Sequence, residues 1–553
     1  MRTDGEVFAP KLWSMFQEGY GVDRLRADLI AGLTVAIVAL PLSMAIAIAS
    51  GVTPAMGLYT AVAGGFLVSA LSGSRHQIGG PAGAFIVLVA ATAARHGVDG
   101  LILATALSGL MLIAAGWLRL GGFVKYIPYP VTIGFTAGIA VIIFASQVKD
   151  LLGLTLAGPE PGDILGKFAA FGAASDAVNG AAMAISLGVI AAIALLKRLA
   201  PRAPNLLIAV AAATLIGYAF DLPIATIGSR FGGIPRNLPA PALPNLALDK
   251  ILAVLPDAAS FALLGAIESL LSAVVADGMT GRRHRSNIEL VGQGVANIGS
   301  ALFGGFCVTG TIARTATNVR AGATSPIAGM AHALFLLGFM AMLAPLAAYI
   351  PLAALAGVLA SVAWNMIEKP AVVALLRSSL GDALVLTVTF LLVVFRDLTE
   401  GILAGFLIGS VLFIDRMSKQ ARVAIAEQGP KTPEDEDAPL PSDNPDIIAY
   451  RLEGVFFFGA AASMGAVLDR ISDGAKIFIL DVAAAAYIDS TAANVIEGMA
   501  RKANRRGVRV IIAGARADVE AILRAHHAAP PLIAFAPSVE AAFTLANANQ
   551  GQA

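Results

Sequence analysis

The sequence predicts a polytopic α-helical membrane protein with a soluble α/β module toward its C-terminal end. Three observations predict it. Of 553 residues, 57% are hydrophobic and 14% charged, and the mean hydropathy is +0.78, more apolar surface than a soluble domain of this length needs. Apolar runs long enough to span a bilayer recur from about Leu29 to Ile414. After Arg422 the chain becomes polar enough for a soluble domain.

The spans fall at 29–49, 54–71, 81–94, 99–117, 130–148, 179–196 and 204–220, then at 257–276, 287–303, 311–321, 325–348, 351–366, 379–395 and 401–415. That makes fourteen transmembrane segments. The segments after Pro81 and after Thr311 are too short for a full crossing, and each follows a Gly-rich break: SGSRHQIGGPAGAF and FGGFCVTGTIART. The two breaks, and the starts of segments one and eight, share an offset of about 230 residues within boundary error. Short, interrupted segments in matching places of two halves point to a transporter's site, and seven spans per half make the repeats inverted. The expected organisation is an N-terminal segment at 1–27, repeats at 28–225 and 250–416, a linker at 427–446 and an α/β module at 447–549.

Lys and Arg in the short loops set the orientation. With the N-terminus inside, fifteen of them, including Arg75, Arg119, Arg282, Arg283 and Arg416, lie in cytoplasmic loops and seven on the other side. An even span count places the C-terminus inside too. The N-terminus has no short apolar core with a cleavage site, so no removable signal peptide is expected. The stretch EQGPKTPEDEDAPLPSDNPD is acidic and Pro-rich and suits a linker. Beyond it IIAYRLEGVFFFG, KIFILDVAA and VRVIIAG read as strands, and GAVLDRIS, TAANVIEGMARKANRR and ADVEAILRAHH as helices.

The chemistry concentrates between Phe261 and Gly329. A helix that begins at membrane depth exposes unpaired N–H groups and a positive dipole end, so two such ends form an anion site. Pro81 suits a first helical position, Gly79, Gly80 and Gly83 admit close approach, and Thr309 and Thr311 are candidate caps. Arg314 adds a permanent charge. It serves the anion, reaches a lipid phosphate or pairs with a carboxylate. Glu268 sits within an apolar helix, where an acid marks a substrate or ion path. It carries a proton, is a neutral structural acid, or is the ion-pair partner of Arg314. Ser269 and Ser272 are placed to coordinate a cation or orient the acid.

Other classes are excluded. A net charge of +1 gives no case for nucleic acid, the single Cys307 forms no intrachain disulfide, and the six histidines lack metal-ligand spacing. GFCVTGTI has no Lys after its second Gly, and GQGVANIG does not follow a strand, so neither phosphate loop nor dinucleotide fold is indicated. No ATPase signature or cofactor site is present, so the chain is expected to be a gradient-driven carrier rather than an enzyme.

At these residues the chain resembles the SulP sulfate-permease family, solute carrier family 26 in animals. The resemblance rests on ADLIAGLTVAIVALPLSMAIAIASG, GLYTAVAGGFLVSALSGSRHQIGGPAGAF, PYPVTIGFTAGIAVII, IESLLSAVVADGMTGRRHRSNIELVGQGVANIGSALFGGF and TGTIARTATNVRAGATSPIAGM. YIDSTAANVI resembles the strand-to-helix signature of a STAS domain. The resemblance implies core and gate domains moving in an elevator-like fashion, homodimers and a cytoplasmic STAS module open to a regulatory partner. It implies an anion site at Ala82, Gly83, Ala84, Phe85, Thr311, Ile312, Ala313 and Arg314, with Leu42 and Ser43 of the first segment.

Departures from the family refine this. Leu42 stands where many members carry Gln, and Ala82 and Ala313 where relatives carry hydroxyls, which favours an organic carboxylate over sulfate. Glu268 replaces an Asp of bicarbonate carriers, and Ile312 lacks the hydroxyl near their sodium site, so H⁺ is favoured over Na⁺. Ser490 and Thr491 occupy the region that is phosphorylated in some STAS domains, with capping of the next helix as their simpler role. The expected function is proton-coupled anion symport at the inner membrane, with an exchanger or channel on the same scaffold as the alternative.

Overall fold

The structure, a computed structural model, describes residues 8–158, 160, 161, 163–200, 203–420, 422–425, 446–457 and 476–548. It forms two compact units that divide near residue 406.

Thirteen helices cover the fourteen expected segments. They are α2 (Val22–Ala49), α3 (Pro54–Leu71), α4 (Ile86–Trp117), α5 (Tyr129–Leu152), α6 (Gly180–Leu199), α7 (Asn205–Ala219), α8 (Leu248–Thr280), α9 (Ser286–Leu302), α10 (Ile312–Arg320), α11 (Ile327–Ala347), α12 (Leu352–Met366), α13 (Leu380–Phe395) and α14 (Leu398–Gln420). A short helix, α1 (Lys11–Gln17), precedes them. Among the described residues, nine helices are long and apolar enough to cross a membrane by length and composition. The third and fourth segments are continuous in α4 except at Gly97, whose φ of 70° breaks the helix between them.

Helix contacts sort into two bundles, α2–α4 with α8–α11, and α5–α7 with α12 and α13. Between two apolar spans there is little hydrophobic drive, so close backbone approach at small residues holds them. A Cβ on Gly109 of α4 would stand 2.5 Å from the Gly294 carbonyl of α9, and one on Gly294 would stand 2.4 Å from the Gly109 carbonyl. Buried carboxylates add polar clamps. Asp28 accepts from the backbone N–H of Thr324 at 2.6 Å and of Ser325 at 3.2 Å, tying α2 to the start of α11. Asp257 accepts from Thr92 at 3.0 Å and Arg95 at 2.5 Å, tying α8 to the first half of α4.

The second unit carries a six-stranded sheet: β3 (Arg422–Ile425), β4 (Ile447–Phe456), β5 (Ile477–Asp481), β6 (Ala485–Ile488), β7 (Arg509–Ala513) and β8 (Ile533–Ala536). The order is β3-β4-β5-β7-β8, with β6 also on β4. All pairings are parallel except β3 with β4. Every residue of β5 is buried, as a strand covered on both faces requires. The helices α15 (Ser490–Arg505) and α16 (Ala517–Ala525) share one apolar cluster with the sheet, and α17 (Val539–Ala548) another.

Three expected strands and two expected helices of this module are found, while β3, β6, β8 and α17 were not foreseen. The expected helix GAVLDRIS lies outside the described residues, as does the linker except for Asp446.

Candidate functional site

Two extended dipeptides meet inside the first bundle. β1 (Gly79–Gly80) pairs antiparallel with β2 (Thr309–Gly310), in the register Gly79 to Gly310 and Gly80 to Thr309. Each strand feeds a helix. After β1 come Pro81, Ala82 in extended conformation, a 3₁₀ turn at Gly83–Phe85 and then α4. After β2 come Thr311, also extended, and α10. Phe85, Ile86 and Thr311 donate their N–H groups to the Ala82, Gly83 and Ile78 carbonyls, and the remaining N–H groups at the two helix entries have no intrahelical partner by geometry, so two positive dipole ends converge here.

Arg314, in the first turn of α10, is 2% exposed. Its Nη2 donates to Ser43 Oγ at 3.3 Å and to the Pro81 carbonyl at 3.2 Å. Nε and Nη1 have no hydrogen-bond partner, and among the described residues no carboxylate pairs with it. The guanidinium lies against the first break, because a Cβ on Gly80 would stand 1.9 Å from Nη1. The site opens where Gly83 and Ile312 are half-buried and Ala313 is exposed. A Cβ on Gly83 would meet Ile143 of α5 at 3.0 Å and Met366 of α12 at 3.8 Å, so the 3₁₀ turn borders the second bundle. Ala82, Ala84, Leu42 and Ser43 are buried. Phe85 stacks edge-on against Phe261 of α8, with centroids 6.0 Å apart.

Several expectations are corrected. Pro81 is not the first helical residue; the 3₁₀ turn starts at Gly83, and Pro81 instead offers its carbonyl to Arg314. Thr311 stands at the N-cap of α10, but its hydroxyl does not cap; it donates to the Ile78 carbonyl at 3.3 Å. Thr309 donates to the Gly265 carbonyl at 3.4 Å. In the second unit Asp489 caps α15 by accepting from the Ala492 N–H at 2.8 Å, leaving Ser490 and Thr491 exposed in its first turn. A carboxylate is an acceptor only, so it takes the cap from the hydroxyls beside it.

Glu268 is 7% exposed on α8 and makes no hydrogen bond or ion pair among the described residues. Ser269 donates to Glu289 at 2.8 Å, and Ser272 donates to Thr315 at 3.1 Å, so neither orients Glu268.

The sequence reading missed the polar face that supports both breaks. Glu289, Gln293, Asn297 and Ser300 recur along α9 at helical spacing, a signal present in the chain. Gln293 donates to the Val308 carbonyl, Asn297 accepts from the Val308 N–H at 3.0 Å, and Ser300 donates to the Phe306 carbonyl at 2.7 Å. They satisfy the extended backbone that leads into β2, where no helix can do so.

A cavity of about 460 Å³ lies elsewhere, lined by Lys149, Asp150, Glu160, Asn179, Arg230 and Leu352 among others. Its charges are paired: Lys149 to Glu160 at 2.9 Å and Arg230 to Asp150 at 3.4 Å. The unpaired charge, not this void, marks the candidate site.

Discontinuous helices that meet N-terminus to N-terminus among many spans are a transporter architecture. The sequence comparisons agree. The sulfate permease family profile matches residues 25–389, and the STAS domain profile matches residues 439–542. The chain belongs to the sulfate permease family. It is 39% identical to the putative sulfate transporter YvdB of Bacillus subtilis, over 92% of this chain and 94% of that protein. It is 33% identical to the bicarbonate transporter BicA of Synechocystis, over 89% of this chain and 88% of that protein. The murine anion transporter Solute Carrier 26 family member A9 shares the fold, with TM-score 0.85 at 18% identity over 99% of this chain and 96% of that one. The named relatives are transporters rather than enzymes.

Proposed function

We propose that this protein is a secondary active transporter of small anions of the sulfate, bicarbonate or dicarboxylate class. The observation that carries the reading is the Arg314 guanidinium, buried between two helix N-termini with no carboxylate among the described residues to neutralise it. A guanidinium keeps its charge, and a buried unpaired charge is too costly to leave without a partner. A substrate anion is that partner. Backbone N–H groups at Ala82 to Ala84 and Ile312 to Arg314 complete its shell, with Phe85 and Thr311, whose N–H groups donate to the Ala82 and Ile78 carbonyls, flanking it and Ser43 and Leu42 at its edge.

Glu268 serves as the proton carrier in symport. Among the described residues it pairs with no cation, so its charge is free to respond to the substrate. H⁺ suits this site better than Na⁺, because the hydroxyls of Ser269 and Ser272 are engaged with Glu289 and Thr315. The repeats at 28–225 and 250–416 form the inverted halves, a reading supported by strands paired 231 and 229 residues apart. The α2–α4 and α8–α11 bundle moves as the core of an elevator against a gate of the remaining spans. The protein resides in the inner membrane as a homodimer with both termini cytoplasmic. Its STAS module, with Ser490 and Thr491 exposed beside the α15 cap, is regulatory.

The test is uptake by purified protein in proteoliposomes under an inward proton gradient, across labelled sulfate, bicarbonate and fumarate. Accumulation of one of them that a protonophore collapses, and that Arg314→Ala abolishes, is the expected result. Flux that ignores the gradient but needs an internal anion makes the protein an exchanger. Unsaturable flux makes it a channel. Uptake unchanged by Arg314→Ala removes the arginine from the site.

A further inference from the structure

Glu289 is 0% exposed, one turn into α9, and has no cation within ion-pair distance among the described residues. Both its oxygens are taken. Oε2 accepts from the Gly73 N–H at 2.9 Å, and Oε1 accepts from Ser269 Oγ at 2.8 Å. Ser269 Oγ in turn accepts from Gln77 Nε2 at 3.0 Å, and the same nitrogen reaches the Ser269 carbonyl at 3.0 Å. Because Ser269 Oγ donates to Glu289, its lone pairs face Gln77. The chain of hydrogen bonds therefore has a fixed direction, from Gln77 through Ser269 to Glu289.

Gln77 lies two residues before β1. Its amide also lies over the second break, because a Cβ on Gly310 would stand 1.4 Å from Nε2. Glu289 thus holds the segment leading to the first break at both ends, at Gly73 directly and at Gln77 through Ser269. The same chain presses on the β2 strand that leads to Arg314.

We propose that Glu289 is a positioning residue for transport: through Gly73, Ser269 and Gln77 it sets the alignment of the two half-helix N-termini. The proposal rests on the anion-site reading above. It does not require Glu289 to touch substrate. Anion shells built from backbone N–H groups are sensitive to displacement, and a shift of about 1 Å can cost two orders of magnitude in a positioned site. Glu289→Gln keeps the shape but turns one acceptor into a donor. Either Gly73 N–H then faces an N–H, or Ser269 reverses and releases Gln77.

The expected result of Glu289→Gln has two parts. Apparent affinity for whichever of labelled sulfate, bicarbonate and fumarate the wild type carries weakens about 10- to 100-fold, with maximal rate nearly kept. Hydrogen–deuterium exchange, run with no anion present, rises across 73–82 and stays unchanged around the Asp257 clamp at 92–96. Gln77→Met cuts the last link while leaving Glu289 satisfied, and gives the same affinity loss if the glutamine variant does not fold. In the double variant Glu289→Gln with Ser269→Ala the losses overlap, because one chain carries both effects. Additive losses, or exchange at 73–82 equal to wild type, overturn the proposal. The exchange readout contains no substrate, so a failed anion site and a failed Glu289 grip give different results.

Discussion

The two breaks share a backbone plan and differ in what they contribute. Each runs from a two-residue strand through an extended residue into a helix N-terminus. The first half, Gly79 to Phe85, brings no charge and no hydroxyl; it offers backbone N–H groups and the Pro81 carbonyl. The second half, Thr309 to Arg314, brings two hydroxyls and the guanidinium. The shared backbone plan shapes the cradle, and the difference in side chains gives it a sign. In the proposed reading, one full charge on one half would neutralise an anion without the self-repulsion that two buried arginines would incur.

The largest effect should come from closing the gap between the halves. Gly80→Ala places a Cβ 1.9 Å from Arg314 Nη1, and Gly310→Ala places one 1.4 Å from Gln77 Nε2. Either should abolish anion uptake in proteoliposomes, while Gly338→Ala, where a Cβ meets nothing within 4 Å, should not. Wild-type uptake in Gly80→Ala would mean that the guanidinium does not need the first break.

Next comes the charge itself. Arg314→Lys retains the charge but loses the planar head whose Nη2 meets both Ser43 and Pro81 and whose Nε and Nη1 are left for the anion, and should weaken affinity about tenfold. Equal affinity would make Arg314 a point charge and the symmetry argument purely electrostatic. Glu268→Gln should leave binding intact and remove the pH dependence of uptake; an unchanged pH profile would return Glu268 to a structural role. Ser43→Ala removes one hydrogen bond of 3.3 Å and should cost no more than about 1 kcal/mol of binding.

The smallest effect lies outside the spans. Glu18, after α1, accepts from Arg75, and that hydrogen bond holds its carboxyl below the ordinary carboxylate range. Its contribution to anchoring α1 is therefore present at neutral pH and is lost only as pH falls through the lowered value. Glu18 is about half exposed, so solvent screens the effect. Hydrogen–deuterium exchange across 8–20, corrected for the intrinsic pH dependence of amide exchange, should stay constant from neutral pH down to the ordinary carboxylate range and rise only below it. An earlier rise would assign the anchor to another group.

The positions of the spans, the two interruptions and the misplaced ionisable residues were legible in the chain. Long apolar runs and Gly-rich breaks are local properties, and Arg314 and Glu268 stand out because charge at that depth is costly. The α15 cap was misread because three adjacent residues, Asp489, Ser490 and Thr491, can all cap, and spacing alone does not rank them. The second bundle's cavity had no sequence signal, since its lining comes from five separate stretches of chain.

By itself the sequence determined that the chain crosses a membrane many times, is interrupted by two Gly-rich breaks and carries a cation at one of them. The tertiary structure decided what that cation meets. Ser43 and Pro81 reach Arg314 from 271 and 233 residues away, and β1 and β2 are Gly-Gly and Thr-Gly, too short for any periodicity to announce a pairing. It also decided that Ser269 and Ser272 answer to Glu289 and Thr315 rather than to Glu268. Burial cost is written in one residue's chemistry, but satisfying it depends on partners that only the folded chain brings within reach.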